Sequence, residues 1–142
     1  MTAEVPATSD ALPVVLNTFA EYLAASISLD SNRVAKYYHE PFMFITAANV
    51  VMLTSQAEVV VFLTPGFLAL KEAGYARTDF PQLQAKSLGI GLAIISGLGV
   101  RYRTDDTEMA SFGITYLWRQ VANEWKLAVM TVHEPLTVLS IE

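Results

Sequence analysis

Residues 82–134 read QLQAKSL-GIG-LAIISGLGVRYR-TDDT-EMASFGITYLWRQV-ANE-WKLAVMTVHE, four apolar-rich segments separated by short turns. Gln82, Gln84 and Lys86 alternate with Leu83, Ala85 and Ser87, the period-two pattern of a half-buried strand. Gly89-Ile90-Gly91 supplies residues free to take positive φ for the first turn. Leu92–Arg103 is the second predicted strand, and Thr104-Asp105-Asp106-Thr107 the next turn. Glu108–Val121 and Trp125–Glu134 follow, joined by Ala122-Asn123-Glu124. Pro135 stops the last strand because it has no N–H to donate to a ladder.

These strands are too long to be straight. Residues 108–121 would extend about 47 Å, against a radius of gyration of about 14–15 Å for a compact chain of this size. Gly97, Gly99 and Gly113 lie in strand interiors, where glycine marks a bulge or bend. A curved sheet follows, and its concave face needs a cover. The last strand puts Trp125, Leu127, Val129, Thr131 and His133 on one side and Lys126, Ala128, Met130, Val132 and Glu134 on the other. Both sides are largely apolar, as are both sides of Leu92–Val100, unlike a sheet with one wet face. One face is expected to pack on helices and the other on a second copy of the chain, which predicts a homodimer.

Composition supports a single domain with apolar surface to spare. The 142 residues are 53% hydrophobic and only 16% charged, against a usual charged share of about 25%. Such an excess points to an interface, a cavity or both. A net charge of −5 argues against nucleic acid as a partner. With no cysteine, disulfides, thiolate nucleophiles and Cys-metal sites are excluded, and no oxidising compartment is needed. Residues 1–10 read as a polar, flexible N-terminus without the apolar core of a signal peptide, and 136–142 as a tail. Gly89–Val100, the most apolar run, is too short to span a bilayer. The expectation is a cytoplasmic protein that engages no membrane.

The first half reads as helices and a hairpin. Thr8, Ser9 and Asp10 are N-cap candidates with Pro13 in the first turn. Leu12, Val15, Leu16, Phe19, Leu23 and Ile27 then recur at three- and four-residue steps, predicting an amphipathic helix of about five turns with Tyr22 beside its stripe. Asp30-Ser31 caps a short helix through Val34, Tyr37 and Tyr38, which His39-Glu40-Pro41 terminates. Phe42–Ile45 and Val50–Leu53 form a hairpin. Ser55 and Glu58 make a capping box for a third helix, with a kink or break expected at Pro65-Gly66 and a stop at Gly74.

Helix, helix, hairpin, helix and a four-strand meander is an order that resembles the nuclear-transport-factor-2-like superfamily. The run Gly97-Leu98-Gly99-Val100-Arg101-Tyr102, then Tyr116-Leu117-Trp118-Arg119, then Trp125-Lys126-Leu127 through His133 resembles its SnoaL-like members. It is also similar to the association domain of calcium/calmodulin-dependent kinases. The resemblance covers residues 11–135 and implies an α+β fold. In it a curved antiparallel sheet wraps N-terminal helices into a cone-shaped barrel with a central pocket. It implies a pocket for a small hydrophobic molecule, in a superfamily of isomerases, cyclases, hydrolases, dehydratases and non-catalytic binders. Fold alone does not choose among these.

Steroid-isomerase-like members carry a tyrosine on the first helix, which Tyr22 matches, and an aspartate on the first strand. Phe42-Met43-Phe44-Ile45-Thr46 contains no carboxylate, so the matching general base is missing. Epoxide-hydrolase-like members clamp an arginine between two carboxylates. Arg101 has only Gly99 and Arg103 as same-face neighbours, so it reads as a solvated side chain near a strand end. His39-Glu40-Pro41 and His133-Glu134-Pro135 hold the only histidines, but adjacent strand residues face opposite ways and the pairs fall at opposite strand ends. No metal or cofactor is therefore expected. His133, the one residue of the late strands that titrates near neutrality, is the expected acid–base residue, with Glu134 behind it and Tyr22 as partner. A structural histidine at the dimer interface is the competing assignment. Tyr38, Phe42, Phe44, Phe67, Tyr116 and Trp118, with Glu134, are the expected pocket lining. The functional choice is between an isomerase-, cyclase- or dehydratase-type enzyme and a non-catalytic dimeric binding or assembly module.

Overall fold

The computed structural model describes residues 11–137. Helix α1 (Ala11–Ile27) buries Val15, Phe19, Tyr22 and Ala25, one stripe at three- and four-residue spacing. The N-cap candidates Thr8, Ser9 and Asp10 lie outside the described residues. Helix α2 (Ser31–Ala35) is capped by Asp30, whose carboxylate accepts from the N–H groups of Asn32 and Arg33 at 3.1 and 3.3 Å. It stops three residues short of Tyr38. Strand β1 (Tyr38–Ile45) starts there instead, because Tyr38 pairs with Leu127 and the Tyr37 carbonyl accepts from the Leu127 N–H at 2.8 Å. Long-range pairing overrides the local helical pattern.

Strand β2 (Val50–Leu53) completes the hairpin, and helix α3 (Gln56–Glu72) follows. The Ser55 hydroxyl accepts from the Glu58 N–H at 3.2 Å, and the Glu58 carboxylate accepts from the Thr54 N–H at 2.7 Å. Pro65 lies inside α3, which continues through it as one helix rather than breaking. Only one intrahelical donor is missing there. The Thr64 hydroxyl binds the Val60 carbonyl at 2.7 Å and lies 2.7 Å from the Ser31 hydroxyl, tying this turn to α2. Gly74 ends the helix at φ 85°, a value only glycine takes freely.

The remaining strands are β3 (Tyr75–Ser87), β4 (Leu92–Arg103), β5 (Glu108–Val121) and β6 (Glu124–His133). The six strands lie in the order β2-β1-β6-β5-β4-β3. All neighbours are antiparallel except β1 and β6, which run parallel. The architecture is the expected α+β fold with a curved sheet around the helices, but the cone is open: among the described residues β2 and β3 are the edges of the sheet. A single 3-10 turn, Pro135–Thr137, closes the described chain.

The bends coincide with only one of the glycines read as bend markers, Gly99. Register shifts occur in β3 between Tyr75 and Arg77 and between Asp79 and Gln82, and where Leu117↔Val129 is followed by Trp118↔Leu127. Gly97 and Gly113 sit in regular ladder, whereas Gly99 is regular toward β5 but lies opposite the β3 bulge, between the pairs Val100↔Asp79 and Leu98↔Gln82; both Gly99 and Gly113 also serve close packing. A Cβ on Gly99 would lie 2.5 Å from the Phe112 ring, and one on Gly113 would lie 2.5 Å from His133 Nδ1 and from the Glu134 carbonyl.

The shift in β6 decides the faces of the sheet. Ala128 is the extra residue between Leu127, opposite Trp118, and Val129, opposite Leu117. Trp125 and Leu127 therefore face the core together with Met130 and Val132, whereas Val129, Thr131 and His133 turn outward. The single five-residue face read from strict alternation is corrected by this one bulge. The core lies between α1 and the inner face, where Trp118, Tyr38, Phe42, Ile95 and Leu127 are fully buried.

On the outer face, Met52, Met43, Val129, Leu117 and Ile94 are successive register partners across β2, β1, β6, β5 and β4. None of the five packs against the core cluster. Among the described residues, no helix is long and apolar enough to cross a membrane.

Candidate functional site

Between the inner face, α1 and α3 lies a cavity of about 590 Å³, within the usual range for small-molecule sites. The alternation of β5 brings Phe112, Ile114 and Tyr116 to it, and the bulged β6 brings Met130 and Val132. Strand β1 adds Phe42 and Phe44, and α3 adds Phe62, Leu63 and Phe67. The edges of Phe44 and Phe62 meet with centroids 5.5 Å apart.

Three buried tyrosines form the cavity floor. Tyr22 Oη lies 3.2 Å from Tyr38 Oη, and the Tyr22 and Tyr116 rings meet edge-on at 6.1 Å. Two hydroxyls share one proton along the 3.2 Å line, so the pair keeps a second O–H with which to face a ligand acceptor. Burial raises the hydroxyl pKa of all three, Tyr38 and Tyr116 most, and for these two the neighbouring Tyr22 adds to the effect. At Tyr22 the bond from Tyr38 and the Arg101 charge oppose the rise without cancelling it. The folded state thus holds these protons more tightly than the unfolded chain. Stability is undiminished below about pH 10, the ordinary tyrosine value, and falls as pH rises above it. Base titration is expected to release tyrosinate absorbance from these three of the six tyrosines together with unfolding rather than ahead of it.

At the other end stands Arg101, the one charged side chain among the described lining residues. Its guanidinium rests 4.6 Å above the centroid of Phe112, whose ring occupies the space left by the absent Cβ of Gly99. Thr78, its direct partner across the β3–β4 ladder, also lines the cavity, and Thr78 Oγ1 lies 2.8 Å from Tyr75 Oη. Arg101 is therefore not the solvated strand-end residue expected from its sequence neighbours.

Of the residues expected at the site, Tyr22, Tyr38, Phe42, Phe44, Phe67 and Tyr116 come together around the cavity. Trp118, His133 and Glu134 do not. Trp118 is fully buried one step deeper, with its ring against Phe19 and Tyr22. His133 is turned to the outer face by the Ala128 bulge. Its Nε2 lies 2.9 Å from Thr115 Oγ1, which in turn lies 2.9 Å from Ser96 Oγ. Its Nδ1 lies 3.2 Å from the Glu134 carbonyl. Glu134 is exposed beyond the end of β6. The nearby-carboxylate arrangement imagined for His133 is absent, since the strand ends before Glu134 can stand behind the ring.

His39 has separate partners, with Nδ1 2.7 Å from the Pro41 carbonyl and Nε2 2.8 Å from Arg119 Nη1. A neutral ring donating from Nδ1 and accepting at Nε2 satisfies both contacts. Among the described residues no three His, Asp or Glu side chains cluster as metal ligands do. The residues missed from sequence are Arg101, Phe112, Phe62, Thr78 and Tyr75. The alternation Gly97, Gly99, Arg101 along one strand face was the available signal for the first of them.

A comparison with curated proteins returned no match. Among solved structures, the chain is similar to an NTF2-like protein with a cystatin-like fold from Novosphingobium aromaticivorans. The TM-score is 0.69 at 12% identity, covering 94% of this chain and 92% of that one. It is also similar to a putative calcium/calmodulin-dependent protein kinase II association domain from Xanthomonas campestris, with TM-score 0.66, 12% identity and 84% of each chain covered. An NTF2-like protein of unknown function from Pseudomonas putida gives TM-score 0.70 at 12% identity over 88% and 87%. At such identities the likeness is one of fold. Residues 10–135 match the family described as NTF2-like protein (DUF6841), so the chain belongs to that NTF2-like family.

Proposed function

We propose that this protein binds a small hydrophobic molecule in its cavity and does so without catalysing a reaction, as a homodimer. The lining carries this reading. It is built of aromatic and aliphatic side chains, and among its described members there is no carboxylate, imidazole or amine. Proton transfer near neutral pH is most efficient with a group that titrates there. The tyrosines are shifted away from that range by burial. Tyr22 is left with the part of a hydrogen-bond donor that positions a ligand. His133, placed outside the cavity, fits the structural assignment at an interface. The row Met52, Met43, Val129, Leu117, Ile94 supports pairing of two copies through the outer face, because a two-fold contact needs only one self-complementary patch.

Titration with the neutral dye Nile red tests the cavity. Met130→Trp, which fills the space from the inner face of β6, is expected to weaken dye binding about tenfold or more while the fold is retained, the dye losing its room. Equal binding by both proteins would place the dye elsewhere and remove the reading.

A further inference from the structure

We infer that the ligand is an apolar monocarboxylic acid, its carboxylate held by Arg101 and the hydroxyls of Thr78 and Tyr75, and its body against Phe44, Phe62 and Phe67. This rests on the cavity being a ligand site. The inference starts from a charge without a counter-charge. Among the described residues only Arg77, with Asp79 and Asp106, and Lys126, with Glu124, have a carboxylate partner, and of the cations without one Arg101 alone lines the cavity. Among the described residues no carboxylate pairs with Arg101, although it is partly buried in an apolar cavity of a chain whose net charge is −5. Taking a guanidinium part-way out of water costs free energy unless an anion compensates. A ligand carboxylate restores the balance, and the planar fork of donors matches its two oxygens.

The surroundings are shaped for this. Gly99 makes room for the Phe112 ring, and the Arg101 guanidinium lies over that ring, 4.6 Å from its centroid. Thr78 beside it, and Tyr75 bonded to Thr78, add two hydroxyls on the same wall. Away from this corner the lining is apolar apart from the tyrosine floor, Ser26 and Thr46. One cation also sets the charge of the ligand. A carboxylate neutralises Arg101, whereas a phosphate monoester would leave a further negative charge in a cavity with nothing to meet it.

The experiment compares two probes of equal chain length, sodium decanoate and 1-decanol, by calorimetric titration. The wild-type protein is expected to bind decanoate about tenfold or more tightly than decanol, the margin of a charge-assisted contact. Arg101→Met keeps the stem over Phe112 and removes the charge. It should abolish the preference for decanoate. Decanol and Nile red binding with no preference for decanoate in the wild type would overturn the inference and leave the cavity reading standing. So would a preference that survives Arg101→Met. Binding of none of the three probes, decanoate, decanol and Nile red, would remove both. The wild-type comparison needs no variant, so the inference stays open to refutation even if Arg101→Met fails to fold.

Discussion

Replacing Leu127 with alanine is expected to destabilise the protein by about 2–5 kcal/mol. Leu127 is fully buried on the inner face of β6 and sits in the ladder between Tyr38 and Trp118. Its neighbours are rings held by edge-to-face contacts, such as Tyr38 with Phe42 at 4.5 Å and Tyr22 with Trp118 at 5.9 Å. Rings fixed in this way close a void poorly, which pushes the cost toward the upper end. Against a typical stability of about 5–15 kcal/mol, such a loss is visible as a large fall in the urea midpoint. A loss below about 0.5 kcal/mol, the usual surface value, would mean that β6 is not core.

Val129→Glu is expected to convert the proposed dimer to monomers while leaving the fold intact. Val129 is the middle residue of the outer apolar row, between Met43 and Leu117, and does not pack on the core. Two-fold symmetry places two new carboxylates in one interface. Burying each without a partner costs several kcal/mol, so the dissociation constant should rise on the order of a thousandfold. Sedimentation velocity reads the outcome, with circular dichroism as the check on folding. A variant that still sediments as a dimer would put the interface on another surface. The wild type running as a monomer would remove the pairing altogether.

The late strands were legible because their signals are local. Leu92–Arg103 and Glu108–Val121 have the predicted ends to the residue, set by Gly91, the Asp105-Asp106 turn and the Ala122-Asn123 turn. At that last turn both residues adopt positive φ, 50° and 68°. The α1 helix was legible as an element, but its buried line is Val15, Phe19, Tyr22 and Ala25, with Tyr22 in it rather than beside it and Ile27 exposed. Six of the nine residues expected at the site do reach the cavity: Tyr22, named from the first-helix tyrosine of the resembled family, and Tyr38, Phe42, Phe44, Phe67 and Tyr116, named as aromatic lining. The failures share one cause. Tyr38 begins a strand because Leu127 pairs with it, α3 runs through Pro65 because its turn is tied to α2, and His133 faces outward because one alanine is left over opposite β5.

Periodicity and turn chemistry act over a few residues, so the chain by itself determined its elements, their order, the curvature of the sheet and the surplus of apolar surface. Which face each side chain takes depends on register, and register is a relation between distant strands. The pairing of β6 with β5 and β1 therefore decided that His133 leaves the cavity. Pairing and packing likewise decided that Arg101, with no acid beside it, enters.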